Sequence, residues 1–302
     1  MDAGVRWTHL NPREICQLML EKHAVKTSNT VVKKLLNQYR FRRRKAQKKV
    51  TMGSNVNRDA QFKKISRLRD QYTADSNPVV SLDTKKKELI GNFYREGHLY
   101  TQQIVAVNDH DFPSAADGVV IPHAIYDLGL NHGYVHLGTS KDTSQFACES
   151  ILHWWQTAGA KQYPDATSIL LLCDGGGSNS SRYYIFKQEL QLLANKIGVE
   201  IRVAHYPPYC SKYNPIEHRL FPHITRACQG VVFKSVQIVK ELIARTKTST
   251  GLAVTVDIFN KVYETGRKAS DTFRENMPIV FDDDLPEWNY RSLPQTEIET
   301  VI

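Results

Sequence analysis

Three acidic residues occupy positions from which they could do chemistry: Asp83, Asp174 and Glu217. Asp83 closes the run Val79-Val80-Ser81-Leu82, and Asp174 closes Ser168-Ile169-Leu170-Leu171-Leu172-Cys173. Each aspartate thus ends an apolar segment that reads as a strand, and the second segment is apolar enough to be buried on both faces. Glu217 follows a proline-bounded stretch, Pro207-Pro208-Tyr209-Cys210-Ser211-Lys212-Tyr213-Asn214-Pro215-Ile216. Asn-Pro is a natural helix start and puts Glu217 in the first turn. Taken singly, each acid is more often a surface residue than a ligand. Taken together they are hard oxygen donors of the kind that suit Mg²⁺. Two such ions about 3.5–4 Å apart can activate an attacking oxygen and stabilise a leaving one, which is what phosphodiester transfer needs.

The neighbours of these acids leave alternatives open. Gly175-Gly176-Gly177-Ser178-Asn179 follows Asp174. It is not a P-loop, because no Lys followed by Ser or Thr closes it. It is either a floor for close backbone or phosphate approach or a plain strand-to-helix turn capped by the aspartate. Lys85-Lys86-Lys87 beside Asp83 is either a solvated turn or a phosphate contact. Lys212 and His218 flank Glu217 and are candidate DNA contacts, with a plain surface role as the alternative for each.

The elements that must position these residues follow from periodicity. Strands are expected at Val79–Asp83, Glu88–Tyr94, Val119–Asp127, Tyr134–Leu137, Ser168–Cys173 and Val199–Ala204. Helices are expected after the cap Asp142-Thr143, from Arg182 to Lys196, from Asn214 to Ile224 and from Val236 to Thr246. Strands first, then alternating helix and strand, give an α/β core with a mixed sheet.

Charge separates the N-terminal quarter from the rest. Of the formal net charge of +9, residues 1–75 carry +12 and residues 76–302 carry −3. Such asymmetry points to a polyanionic partner, nucleic acid first, with a solvated basic arm as the bland alternative. Asn11-Pro12 opens a helix to about His23, with Ile15, Leu18 and Met19 on one face. After a short break, Thr27, Ser28 and Asn29 offer caps for a second helix marked by Val31, Val32, Leu35 and Leu36. The pair reads as a helix-turn-helix or as an ordinary helical hairpin. Lys33 and Lys34 on its second helix, and the run Arg40, Arg42, Arg43, Arg44 and Lys45, are the candidate DNA contacts. A charged linker helix from Asn55 to Tyr72 leads to a boundary at Ser76-Asn77-Pro78. No apolar run is long enough to span a membrane, and the N-terminus has no secretory pattern. Five scattered cysteines, none at C-x₂-C spacing, argue against a cysteine zinc site and for a reducing, cytoplasmic setting.

Several stretches in order carry a resemblance: VSLDTKKKELIGNF, GVVIPHAIYDLGLNHGYVHLG, DTSQFACESILHWW, CDGGGSNSSR, SKYNPIEHRLF, TSTGL and EWNY, with VRWT and RDAQF upstream. The chain resembles the Rhodopirellula-type DDE transposases of bacterial insertion sequences. The resemblance implies an RNase H-like catalytic domain over residues 76–302, preceded by a helix-turn-helix DNA-binding region and basic linker over residues 1–75. It implies that Asp83, Asp174 and Glu217 are the catalytic, metal-binding triad, with Mg²⁺ as the cofactor and Mn²⁺ able to replace it. The implied partners are DNA at element ends and target, together with further copies of the chain on that DNA. Water would cut a strand at the element end, and the freed 3′-OH would attack the target. A non-catalytic transposon-derived DNA-binding protein, and a nuclease that cuts without joining, are the alternatives. The sequence departs from the family's usual Pro-Pro-Gly-Thr at Pro207-Pro208-Tyr209-Cys210, and has Tyr213 where Trp is usual.

Overall fold

A computed structural model describes residues 5–45 and 55–295. Two compact units result, Met1–Thr51 and Met52–Ile302.

In the first unit, helix α1 (Pro12–His23) opens on a reciprocal capping box. The Asn11 side chain accepts from the backbone N–H groups of Arg13 and Glu14, and Glu14 accepts from the Asn11 N–H. Ala24, with φ of 51°, closes the helix in the left-handed region. Of the three caps available in the sequence, Ser28 is the one that starts α2 (Asn29–Gln38), accepting from Val31 N–H. Val32 is the one buried side chain in this unit among the described residues. Lys33, Lys34, Arg40, Arg42, Arg43, Arg44 and Lys45 are all exposed.

The second unit is built on one nine-stranded sheet. Its strands are β1 (Val79–Thr84), β2 (Glu88–Ile90), β3 (Gly118–Asp127), β4 (His132–Gly138), β5 (Ser168–Cys173), β6 (Glu200–His205), β7 (Ala253–Phe259), β8 (Val280–Phe281) and β9 (Asn289–Ser292). The order is β7-β4-β3-β1-β5-β6-β9-β8, with β2 pairing β3. β1, β5 and β6 run parallel, whereas β3 is antiparallel to both β1 and β4. The central order β4-β3-β1-β5-β6 is that of an RNase H-like fold, as the resemblance implied.

Helices cover both faces. On one, α4 (Ser144–Trp154) and α6 (Tyr184–Ile197) bury Phe186, Leu190 and Trp154 against Val80, Leu82, Ile169 and Leu171. A π-helical turn, Trp155–Gly159, and the short α5 (Ala160–Gln162) extend α4. On the other face, α3 (Arg58–Ala74) lays Ile65, Leu68 and Tyr72 on Leu170, Leu172 and Ala204. The segment that the sequence offers as a charged linker is therefore packed on the sheet, and the units divide at Thr51/Met52 rather than at residue 75. α7 (Pro215–Arg219), α8 (Phe221–Ala227) and α9 (Val236–Ala244) complete that face over β3, β4 and β7, and α10 (Asp271–Glu275) precedes β8.

Several expected boundaries shift, each for a local reason. The strand expected to reach Tyr94 ends at Ile90, because Gly91 turns the chain with φ of 134°. The single helix expected over Asn214–Ile224 breaks at Leu220, where Pro222 brings no N–H for a continuing helix. β7 is not among the expected strands, although Val254 and Val256 alternate toward the core as strand residues do.

Burial has an acid-stability consequence at His123 on β3. Both of its ring nitrogens lack a partner among the described residues. Burial, opposed by nearby Asp142, pushes its pKa down to about 4 from 6.5. The unfolded chain therefore takes up this proton first: stability is full above about pH 6.5 and is lost as pH falls toward 4. The loss is about 3 kcal/mol at about 1.4 kcal/mol per pKa unit. In urea titrations with chelator present, the drop in stability from pH 7 to about pH 4.5 is expected to shrink in His123→Leu. An unchanged drop would show that His123 is not its source.

Candidate active site

Strand register brings the two aspartates together. Leu82 pairs with Cys173 across the parallel β1–β5 ladder, so Asp83 and Asp174 are the next residues on neighbouring strands. Alternation puts both on the face opposite Val80, Leu82, Leu171 and Cys173, which is the face that α3 and α7 cover. Glu217 lies in the first turn of α7 on that same face. Its negative charge is felt at Asp83.

The electrostatics record this crowding. Burial, then the charge of Asp174, then Glu217 hold the Asp83 carboxyl well above the usual carboxylate range. Burial also raises Asp174, against a hydrogen bond from Gly176 N–H. Three half-buried carboxylates, none of them ion-paired among the described residues, make a donor set whose negative charge a divalent cation would balance. The residues therefore fit the metal that the family implies.

Residues that sequence reading missed hold the acids in place. Asn214 is fully buried, and its side chain does not cap α7 as an Asn-Pro start suggests. It instead donates to the Leu82 carbonyl at 3.0 Å and accepts from the Ser81 hydroxyl. That hydroxyl oxygen also accepts from Ile216 N–H at 3.1 Å. The start of α7 is thus tied to β1 immediately before Asp83. Leu220, at the end of α7, packs over Gly133 of β4, where an added Cβ would lie 2.6 Å from the leucine. Behind Asp174, His205 is fully buried and its Nδ1 lies 3.0 Å from the Asp174 carbonyl. A carbonyl only accepts, so Nδ1 carries the proton, and Nε2 accepts from Tyr290 O–H at 2.9 Å. Burial lowers this histidine's pKa to about 4, which keeps the ring neutral.

The first turns of α3 secure the loop that leads to Glu217. Arg58 Nε donates to the Cys210 sulfur at 3.3 Å, and its guanidinium lies over Phe62 and Tyr213. Gln61 exchanges amide hydrogen bonds with Asn289 and donates to the His205 carbonyl at 2.8 Å. The RDAQF and EWNY stretches thus buttress the loop and the strand behind Asp174. The hydrogen bonds among them join residues 144 to 228 positions apart, and no local pattern announces them.

Tyr209 stands at φ of 62°, the left-handed region that suits glycine. This is the position where the resemblance implies that Gly is usual. A non-glycine residue there costs about 1–2 kcal/mol, of which glycine's extra unfolded-state freedom cancels about 0.5–1 kcal/mol. Tyr209→Gly is expected to stabilise the chain by about 0.5–1 kcal/mol. A lower midpoint in thermal or urea unfolding would contradict this.

The remaining candidates fall in different places. Lys85 is taken up in an ion pair with Glu88 at 2.9 Å, whereas Lys86 and Lys87 are exposed. Lys212 is exposed, with its ammonium 5.0 Å from the Tyr213 ring centroid. His218 is exposed, and it lines a separate cleft with Tyr126, Arg219, His223 and Thr248. Burial, then Arg219, lowers its pKa. Among the described residues no helix is long and apolar enough to cross a membrane.

Comparison with solved structures finds Mos1 transposase complexes. A mariner Mos1 paired-end complex with Mg has a TM-score of 0.47 at 15% identity, over 80% of this chain and 73% of that one. A Mos1 strand transfer complex has a TM-score of 0.45 at 15% identity, over 80% and 71%. No curated protein matches the chain. The family described as Rhodopirellula transposase DDE domain matches residues 1–294, and the chain belongs to that family.

Proposed function

We propose that this transposase-family chain cleaves DNA at the ends of its element and joins the freed 3′ ends to target DNA. The convergence of Asp83, Asp174 and Glu217 on one face of the sheet carries this reading. These three residues would hold divalent cations, Mg²⁺ with Mn²⁺ as a substitute. When bound, the ions supply activation of the attacking oxygen and stabilisation of the leaving oxygen.

The chain's own residues supply position and charge. Asn214 and Ser81 fix the helix that carries Glu217, and His205 anchors the backbone of Asp174. Exposed Lys86, Lys87 and Lys212 are suited to meet phosphates beside the acids, and His218 lies next to Glu217 in the chain. The basic N-terminal region, with Lys33, Lys34, Arg40, Arg42, Arg43, Arg44 and Lys45, is proposed as the helix-turn-helix DNA-binding part, and the rest of the chain as the catalytic part. Joining two ends at one target calls for more than one copy of the chain on DNA, in the cytoplasm where the nucleoid lies. A strand-transfer assay tests the proposal: pre-cut element ends, a supercoiled target plasmid and Mg²⁺ are expected to give joined products. Cleavage without joining would reduce the reading to a nuclease.

DNA binding is expected to follow counterion release. Replacing Arg42, Arg43 and Arg44 with Ala is expected to weaken binding to every sequence and to flatten the log–log salt slope by up to about three. An unchanged slope in a salt titration would remove this run from the phosphate contacts.

A further inference from the structure

On the opposite face of the sheet from the three acids, a second cluster brings two imidazoles and a carboxylate together. His136 lies on β4, Asp257 is its register partner on β7, and His153 projects from the last turn of α4. Ligand atoms of all three lie within 4.8 Å of one another, the one such His/Cys/Asp/Glu group among the described residues. His153 Nε2 is 3.2 Å from Asp257 Oδ2, a separation that two ligands of one ion can share. His136 is 2% exposed, and its Nδ1 has no hydrogen-bond partner among the described residues. Its ring lies 5.0 Å from that of His153, and Phe259 packs against both rings, walling the cluster on one side.

We propose that His136, His153 and Asp257 form a second metal site, for a zinc-class divalent ion rather than Mg²⁺. Two imidazoles favour borderline transition metals over the hard cations that carboxylates alone select. Three protein ligands leave a fourth, tetrahedral position for water. The neighbouring charges are compatible with this. Lys240 lies 3.7 Å from Asp257 Oδ1, which orients the carboxylate and leaves Oδ2 toward His153. Burial, with His123 and His153 adding to it, keeps His136 neutral and able to ligate. A hydrogen bond between His153 and Asp257 alone would explain that pair, but it gives no role to the buried His136 imidazole that shares the cluster, whose Nδ1 has no hydrogen-bond partner among the described residues. The ion would tie β7, at the edge of the sheet, and the end of α4 to β4.

The full chain in an Asp174→Asn background, which weakens competition from the three acids, is dialysed against zinc with excess magnesium. One equivalent of zinc is expected to remain, and His153→Ala and Asp257→Asn are each expected to lower its affinity by more than about tenfold. The side chains of His153 and Asp257 are 35% and 39% exposed, so both variants are expected to fold, as circular dichroism would check. X-ray absorption at the zinc edge is expected to show two imidazole ligands, a readout independent of any variant at the site. Failure to retain zinc, undiminished affinity in both variants, or a spectrum without imidazole would each overturn the proposal. The assay does not involve cleavage, so its failure leaves the reading of the three acids untouched.

Discussion

Asp174→Asn is expected to lower DNA cleavage by orders of magnitude while leaving DNA binding in place. The substitution keeps the shape of the side chain and removes its charge. Asp174 stands beside Asp83 on the neighbouring strand, and a neutral amide there is a poorer ligand for a hard cation. If the ion pair supplies activation of the nucleophile and stabilisation of the leaving group together, both are lost at once. Binding is expected to survive, because residues 1–75 carry a balance of +12 whereas the remainder carries −3. The two readouts belong on the same preparation: cleavage on a denaturing gel and binding by mobility shift. A variant that cleaves as well as wild type would remove Asp174 from the metal site. Loss of binding alongside cleavage would point instead to a folding defect.

Asn214→Ala is expected to cost about 100-fold in the cleavage rate although Asn214 belongs to no acid triad. Its amide holds the start of α7 against β1 through Leu82 O and Ser81 Oγ, three residues before Glu217. A displacement of about 1 Å in a catalytic group can cost about that factor. The lost hydrogen bonds, with Leu82 O and Ser81 Oγ left buried, should also lower stability by about 1–3 kcal/mol. Activity loss alone would not separate positioning from unfolding. The Mg²⁺ concentration for half-maximal cleavage is therefore the discriminating readout, and it should rise as Glu217 moves from its place. Asn214→Asp is expected to be no better, since a carboxylate cannot donate to the Leu82 carbonyl and adds a fourth buried acid nearby. A folded Asn214→Ala variant with an unaltered rate and unaltered Mg²⁺ dependence would refute the clamp.

The strands that carry the aspartates were legible because their apolar runs end abruptly in acids, and Ser168–Cys173 is buried throughout. The caps of α1, α2 and α4 were legible for the same local reason: Asn11, Ser28 and Thr143 each meet a backbone N–H within three residues. Asn214 was legible as a helix start but not as a clamp, since nothing local reveals that its side chain reaches a strand more than 130 positions away. Gln61, Arg58 and His205 were silent on the same ground. β7 was legible in principle, because its valines alternate, yet it follows TSTGL with no apolar run to mark it. His153 and Asp257 carried no signal at all until register and helix packing set them beside His136.

The central claim is that the chain cuts DNA with divalent ions held by Asp83, Asp174 and Glu217. Its most direct test incubates the purified wild-type chain with DNA carrying the flanking ends of its own element, with Mg²⁺, with Mn²⁺ and with chelator. Products are mapped at nucleotide resolution. The expected result is a nick at the element end that leaves a 3′-OH, present with either metal and absent with chelator. Wild-type chain that binds these ends but cleaves them with neither metal would contradict the account and leave a DNA-binding protein without catalysis.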